Sequence, residues 1–368
     1  MKKSLGLLSF SHLVDDMYQG AVPAILPFLT LERGYSYSAA TGITLAATVI
    51  SSVAQPVFGA LADRGRMLWL TPVGLLVAGI GIGLSGVGES YAWTWCAVAL
   101  SGLGVAAYHP AAASATRAIA GPSAQGMSWF AVGGNVGLAL GPVLATPVLL
   151  AYGLLGTPLL AVPAVLMAAV LLGLRRTTAA RSTREVVRRD DWRSFWWLTG
   201  LVVVRSIVYF GVTSLLGLYV IARFGLSPGT ASLLLTTFLG VGAAATILGG
   251  WIADRWGKLT AVRLGYAVAL PALALLVAAP SPWLVAVAMV GAGVGVYLPF
   301  AVQTSLGQDY LPNRIGTASG VTLGLAVSAG GAFAPLFGWL ADTSGPVWSL
   351  AVLAVLPGLA LLVSAKLR

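Results

Sequence analysis

Charge is the scarcest property of this chain: Asp, Glu, Lys and Arg make up only 9% of its 368 residues, where a soluble domain carries about a quarter. That scarcity excludes an ordinary water-facing surface. Cysteine is nearly absent too. The single thiol, Cys96, excludes an internal disulfide and any thiolate cluster. No run has metal-ligand spacing or the form of a phosphate loop, so neither a metal nor a cofactor is expected.

What fills the chain instead is apolar. Hydrophobic residues account for 58% of it, with 46 glycines and 19 prolines. A membrane-spanning helix needs about 20 apolar residues. Twelve such segments can be marked, at 5–29, 39–62, 68–87, 93–116, 126–150, 154–174, 195–221, 229–253, 259–279, 282–305, 316–340 and 346–365. "MKKSLGLLSF" starts like a signal peptide, but no small-residue cleavage site follows, so the first helix is expected to be retained. The expected fold is an all-α polytopic membrane protein of 12 helices.

The one long polar break, "RRTTAARSTREVVRRDDWR", runs from Arg175 to Arg193. It divides the chain into an N-terminal half (1–174), a linker (175–194) and a C-terminal half (195–368). With both termini in the cytoplasm, all of the 21 Lys and Arg except Arg33, Arg205 and Arg223 fall on the cytoplasmic side. The +10 net charge is thus a topology signal with an attraction for anionic lipid heads, and requires no nucleic acid.

The halves repeat one another. "GALADRGR" (Gly59 to Arg66) recurs within "GGWIADRWGK" (Gly249 to Lys258), about 190 residues on. "GLGVAAYHPAA" (Gly102 to Ala112) matches "GAGVGVYLPFA" (Gly291 to Ala301) at nearly the same offset. Gly126, Gly134 and Gly141 likewise match Gly316, Gly324 and Gly331. Two pseudo-symmetric six-helix halves are a transporter architecture, with a site expected at their interface near the midplane.

The repeated Gly-x-x-Ala-Asp-Arg loop resembles the signature loop of the major facilitator superfamily. "SHLVDDMYQGAVPAILPFL", "GLGVAAYHPAA", "VGGNVGLALGP" and "QDYLPNRIGTASGVTLGLAVSAGG" resemble its fosmidomycin-resistance branch of bacterial drug efflux proteins. The resemblance implies the major facilitator fold, proton-coupled transport by alternating access, and a place in a bacterial inner (cytoplasmic) membrane. There are two departures. The first loop is one residue short, and alanine follows His109-Pro110 where the branch has an acidic residue.

The loops have a physical reading of their own. Gly59 and Gly250 are expected to let a helix end approach its neighbour closely. Asp63 and Asp254 can neutralise the N-terminus of the following helix. Arg64, Arg66, Arg255 and Lys258 stand where cytoplasmic charge is wanted, and Gly257 completes the second loop. The repeated frame favours a conformational latch over simple anchoring. In "VGGNVGLALGP", Gly133, Gly137 and Gly141 recur at i, i+4, a smooth face for close packing that is ended by a kink at Pro142. The resemblance would read that face as an antiporter motif; plain small-residue packing explains it equally well.

The most unusual stretch is "FSHLVDDMYQG". At 100° per residue, His12, Asp15, Asp16 and Gln19 share one arc of a helix. Asp15 lies ten residues past Leu5, roughly 15 Å into a core about 30 Å thick, where a carboxylate should avoid lipid. Arg205 stands at the equivalent level of the second half and is the only basic residue buried in a helix, so an Asp–Arg pair across the halves is the expected arrangement. His109 replaces what its repeat mate supplies as Leu298, with Tyr108 and Pro110 matched by Tyr297 and Pro299. It is either a satisfied core histidine or a proton relay. Gln19, Tyr108, Asn135, Tyr297 and Gln303 are expected to line the substrate path.

An enzyme is excluded by depth. "GLSG" looks like a serine nucleophile, but Ser85 and His109 should differ by about 20 Å along the membrane normal. Nothing forms the repeated ring of a channel filter. The sequence therefore reads as a monomeric, proton-driven carrier (His12, Asp15, Asp16 and His109 for the proton, Arg205 for substrate). It would export a small drug-like or anionic compound. The alternative is a proton symporter importing an organic acid or sugar.

Overall fold

The computed structural model describes residues 2–63, 69–120, 124–173, 189–312, 317–318 and 320–367. All regular structure there is helical. The helices are α1 (Lys2–Arg33), α2 (Tyr37–Asp63), α3 (Leu70–Leu84), α4 (Tyr91–Ala120), α5 (Ala124–Tyr152) and α6 (Val162–Gly173). After the linker come α7 (Trp192–Phe224), α8 (Pro228–Trp256), α9 (Lys258–Ala278), α10 (Pro282–Tyr297), α11 (Phe300–Tyr310), α12 (Ala326–Ser344) and α13 (Pro346–Ser364). Seven described stretches are long and apolar enough to cross a membrane, and two shorter apolar helices accompany them.

Three apolar segments are not the single α-helices that their composition suggests; the eleventh carries a π-helical stretch, Gly320–Leu325, ahead of α12. The sixth opens as a 3₁₀ stretch, Gly153–Ala161, before α6. Gly153 turns the chain with φ 59°, and Pro158 withholds an N–H from the ladder. The hydroxyl of Tyr18 closes this irregular region, donating to the Leu160 carbonyl at 3.1 Å and accepting from the Ala164 N–H at 2.9 Å. The tenth segment breaks between α10 and α11 at Leu298-Pro299. Its repeat mate Pro110 is accommodated inside an unbroken α4.

Contacts divide the chain into two compact units, Met1–Tyr35 with Gly42–Ser182, and Ser36–Thr41 with Thr183–Arg368. In the first, α1 packs on α5, and α3 packs on α4 and α6. The second repeats the pattern, α7 packing on α12 and α9 on α10 and α13. The first turn of α2 belongs to the second unit because Asp342, near the end of α12, caps it. The Asp342 carboxylate accepts the N–H of Tyr37 at 2.7 Å and of Ser38 at 2.9 Å. Asp191 starts α7 in the same manner, and the Ser194 N–H and hydroxyl hold its carboxyl below the usual range.

Of the signature-loop residues, Gly59 and Asp63 fall in the last turns of α2, while Arg64 and Arg66 lie outside the described residues. In the second loop Gly257 takes φ 94°, a left-handed value that separates α8 from α9 in one residue. Lys258 then donates to Ser305 at 2.7 Å and pairs with Asp309 at 2.6 Å. Arg255 lies over the Trp251 ring. Asp254 is exposed. Gly250 is not the close-approach glycine: a Cβ there would meet no atom within 4 Å, whereas one at Gly249 would strike the Leu298 backbone. Helix phase explains the difference, since adjacent residues point about 100° apart and only one faces α10.

Candidate functional site

The glycine face of α5 is what brings α1 close. A Cβ at Gly133 would collide with the backbone of Ser9, at Gly137 with that of Leu13, and at Gly141 with Gly20 and Ala21. The contact is helix backbone on helix backbone. Pro142 does not end α5, which continues through it and Pro147 to Tyr152.

This seam presses the polar stripe of α1 against α4 and α5. His12, Asp15 and Asp16 are 7%, 0% and 6% exposed. The His12 ring stacks on Phe130, centroids 4.0 Å apart and planes 16° apart, and its Nδ1 donates to the Phe130 carbonyl at 2.7 Å. His109 Nδ1 donates to the Val105 carbonyl, one turn back on α4, at 2.9 Å. The two rings then meet through Nε2, 3.2 Å apart. Asp16 straddles them: Oδ2 is 3.3 Å from His12 Nε2, and Oδ1 is 3.1 Å from His109 Nε2. Gln19 donates to Asp16 Oδ1 at 2.7 Å. Tyr108 bonds Ser11 through its hydroxyl at 2.6 Å, and its ring lies against both imidazoles.

Asp15 is different. Neither of its oxygens has a hydrogen-bond partner among the described residues, and His109 Nδ1 lies 3.6 Å away. A buried carboxylate without donors pays nearly its full desolvation penalty as an anion. His12, Asp15, Asp16, Gln19, Tyr108 and His109 thus form one cluster within the first unit. Asn135 is half-buried on α5.

In the second unit Arg205 is 5% exposed and held by neutral groups. Its Nε donates to Gln303 Oε1 at 3.0 Å, and its guanidinium sits 4.7 Å from the Phe300 ring centroid. Gln303 in turn donates to the Tyr266 hydroxyl at 2.9 Å, and Tyr266 to the Leu201 carbonyl at 2.6 Å. Tyr297 joins an aromatic group with Tyr209, Phe238 and Phe300. Within the first unit Asp16 is matched by the two histidines, and within the second Arg205 is held by Gln303 and Phe300. Ser85, the serine of "GLSG", spends its hydroxyl on the Ile82 carbonyl at 2.7 Å.

Sequence reasoning missed Phe130, Gly134, Tyr266 and Phe300. Gly134 carries the clearest consequence. A Cβ there would come within 2.6 Å of His12 Cε1 and 2.7 Å of Nε2, and closer still to Asp16 Oδ2. Alanine gains about 1 kcal/mol of helix propensity over glycine, but overpacking a pinned cluster takes back about 1–3 kcal/mol. Gly134→Ala should therefore lower the melting temperature and impair transport. Gly200→Ala, where no atom lies within 4 Å of the new Cβ, should melt at or above the wild-type temperature. Equal melting of the two variants in detergent would show that the cluster tolerates crowding.

The fold has been seen before. The solved bacterial homologue of the human lysosomal transporter Spinster, inward-facing and occupied, superposes with TM-score 0.84 at 16% identity, covering 99% of this chain and 96% of that one. The nucleoside transporter NupG gives TM-score 0.76 at 12% identity, covering 100% and 98%. In sequence the chain is 30% identical to the fosmidomycin resistance protein of Escherichia coli (strain K12), over 97% of this chain and 91% of the relative. It is 27% identical to the uncharacterized MFS-type transporter YfnC of Bacillus subtilis (strain 168), over 97% and 90%. The family model of the Major Facilitator Superfamily matches residues 8–335. With apolar helices throughout, a buried carboxylate–imidazole cluster and a buried guanidinium, this chain belongs to the major facilitator superfamily.

Proposed function

We propose that this transporter is a proton-coupled antiporter exporting a small drug-like or anionic compound by alternating access. It would sit as a monomer in a bacterial cytoplasmic membrane with twelve spans and both termini inside. Its halves would be 1–174 and 195–368, with a cytoplasmic linker at 175–194. The proton gradient is its energy source.

One observation carries this reading: each unit buries one kind of charge deep in apolar helices, carboxylates with imidazoles in the first and a guanidinium held by neutral groups in the second. Buried ionisable groups in membrane helices mark proton relays and substrate sites. Asp15 and Asp16, with His12 and His109 beside them, take and release the proton. Arg205, steadied by Gln303 and Phe300, holds an anionic group of the substrate. The direction, export, is supported by the relative whose name is a drug resistance.

Purified protein in vesicles with an imposed pH gradient tests this, with phosphonates and cationic dyes as probes. Antiport predicts that substrate accumulates on the side from which protons leave, and that reversing the gradient reverses accumulation. Accumulation in the same direction as the proton means symport, and none under either gradient overturns proton coupling.

A further inference from the structure

We infer that His12, His109 and Asp16 form a binding site for one divalent transition-metal ion of the Zn²⁺ type. The first observation is the orientation of the rings. A carbonyl oxygen can only accept, so the Phe130 and Val105 carbonyls fix a hydrogen on Nδ1 of each histidine. In the neutral rings both Nε2 atoms are then bare lone pairs, and the fold holds them 3.2 Å apart. One proton on either Nε2 joins them as an N–H···N hydrogen bond; with both rings neutral, the two lone pairs converge on one point and can share a cation.

The second observation is the shape of the ligand set. The two Nε2 atoms are 3.2 Å apart, His12 Nε2 is 3.3 Å from Asp16 Oδ2 and His109 Nε2 is 3.1 Å from Asp16 Oδ1, so one ligand atom from each residue lies within 4.8 Å of the others. Four-coordinate zinc with bonds of about 2.05 Å has ligand-to-ligand edges of about 3.3 Å. Two imidazoles and a carboxylate leave the fourth position open and select zinc, cobalt, nickel or copper over magnesium and calcium.

The outer shell is also complete. Metal-bound histidines commonly donate their other N–H to a backbone carbonyl, and bound carboxylates are themselves hydrogen-bonded. Both histidines do the first, and Gln19 does the second for Asp16. The His109 side chain keeps 25% of its surface exposed, an entry path for a small cation. The ligands are brought together from helices 97 residues apart, which is why no spacing in the chain announces them. The inference stands on this geometry alone and holds whether or not the cluster couples transport to protons.

Tag-free protein in detergent is titrated with Zn²⁺ by calorimetry and with Co²⁺ by visible absorption. One ion per chain is expected, with the intense bands of four-coordinate cobalt. His12→Asn and His109→Asn should each weaken Zn²⁺ by more than the roughly 10–100-fold that an outer-shell loss produces. The chain has only two histidines and one cysteine, the exposed Cys96, so Cys96→Ser should bind as wild type. No saturable Zn²⁺ binding, binding that both histidine variants retain, or loss in Cys96→Ser overturns the site. Should a histidine variant fail to fold, the wild-type cobalt spectrum decides, because weak six-coordinate bands rule out this ligand set. None of these readouts depends on transport, so failure of the metal site and failure of proton coupling are scored separately.

Discussion

Asn in place of the coupling carboxylate, Asp15 or Asp16, should leave a carrier that exchanges substrate across the membrane but cannot build a gradient of it. Uphill accumulation should fall to the equilibrium ratio, while counterflow stays within about threefold of wild type. Asn matches Asp in shape and keeps one acceptor oxygen, so the packing against α4 and α5 survives, but it cannot take a proton. The two positions should differ in side effects. Asp15→Asn removes no hydrogen bond and relieves the burial of an undonated carboxylate, so that variant should fold at least as stably as wild type. Asp16→Asn disturbs contacts to Gln19, His12 and His109 together, so it should lose stability as well. Accumulation and counterflow measured in the same vesicles separate coupling from folding. If both single variants still accumulate substrate, the proton does not run through helix α1.

Arg205→Lys should be nearly as damaging although the charge is kept. The Nε–H is already held by Gln303, and the guanidinium lies over Phe300, so the terminal fork is the part that would grip a carboxylate or phosphonate. An ammonium has no planar fork and no ring-stacking face. Loss of a bidentate, charge-assisted contact of about 1.5–3 kcal/mol corresponds to a roughly 10–100-fold weaker substrate interaction. It should appear as a raised apparent KM for anionic probes and little change for cationic ones. Transport of anions at wild-type KM by the Lys variant would reduce Arg205 to a structural cation.

The candidate site was legible in the sequence where side chains carry it and illegible where the backbone does. His12, Asp15, Asp16 and Gln19 stood out because helical phase aligns ionisable groups in an apolar segment. His109 stood out because its repeat mate is Leu298. Phe130 contributes a carbonyl and a stacking face, and Gly134 contributes the absence of a side chain. Phe130 leaves no mark in an apolar sequence, and Gly134 shows there only as a repeat match to Gly324, which says nothing of the cluster it makes room for. The Asp–Arg pairing was expected because opposite charges at one depth attract; the partners that Asp16 and Arg205 find inside their own units, two imidazoles for one and Gln303 with Phe300 for the other, depend on tertiary packing. The helices were legible from hydropathy almost to their ends. The breaks at Gly153–Ala161 and Leu298-Pro299 were not, since α4 and α5 carry prolines without interruption. The expectation for Gly250 failed by one residue, which on a helix is enough to face another way.

The backbone seam between α1 and α5 sets how the cluster's state can be transmitted. Wherever large side chains mesh, rotamers can change and two helices can slide in small steps. Here the α1 backbone meets the glycines of α5 directly, at Ser9, at Leu13 and at Gly20-Ala21. Any slide would have to pass a side chain of α5 over that backbone. The pair is a ratchet locked in a single tooth, and it has no intermediate register. Occupancy of the cluster by a cation can therefore tilt α1 and α5 only together, as one lever whose fulcrum is set by Gly133, Gly137 and Gly141.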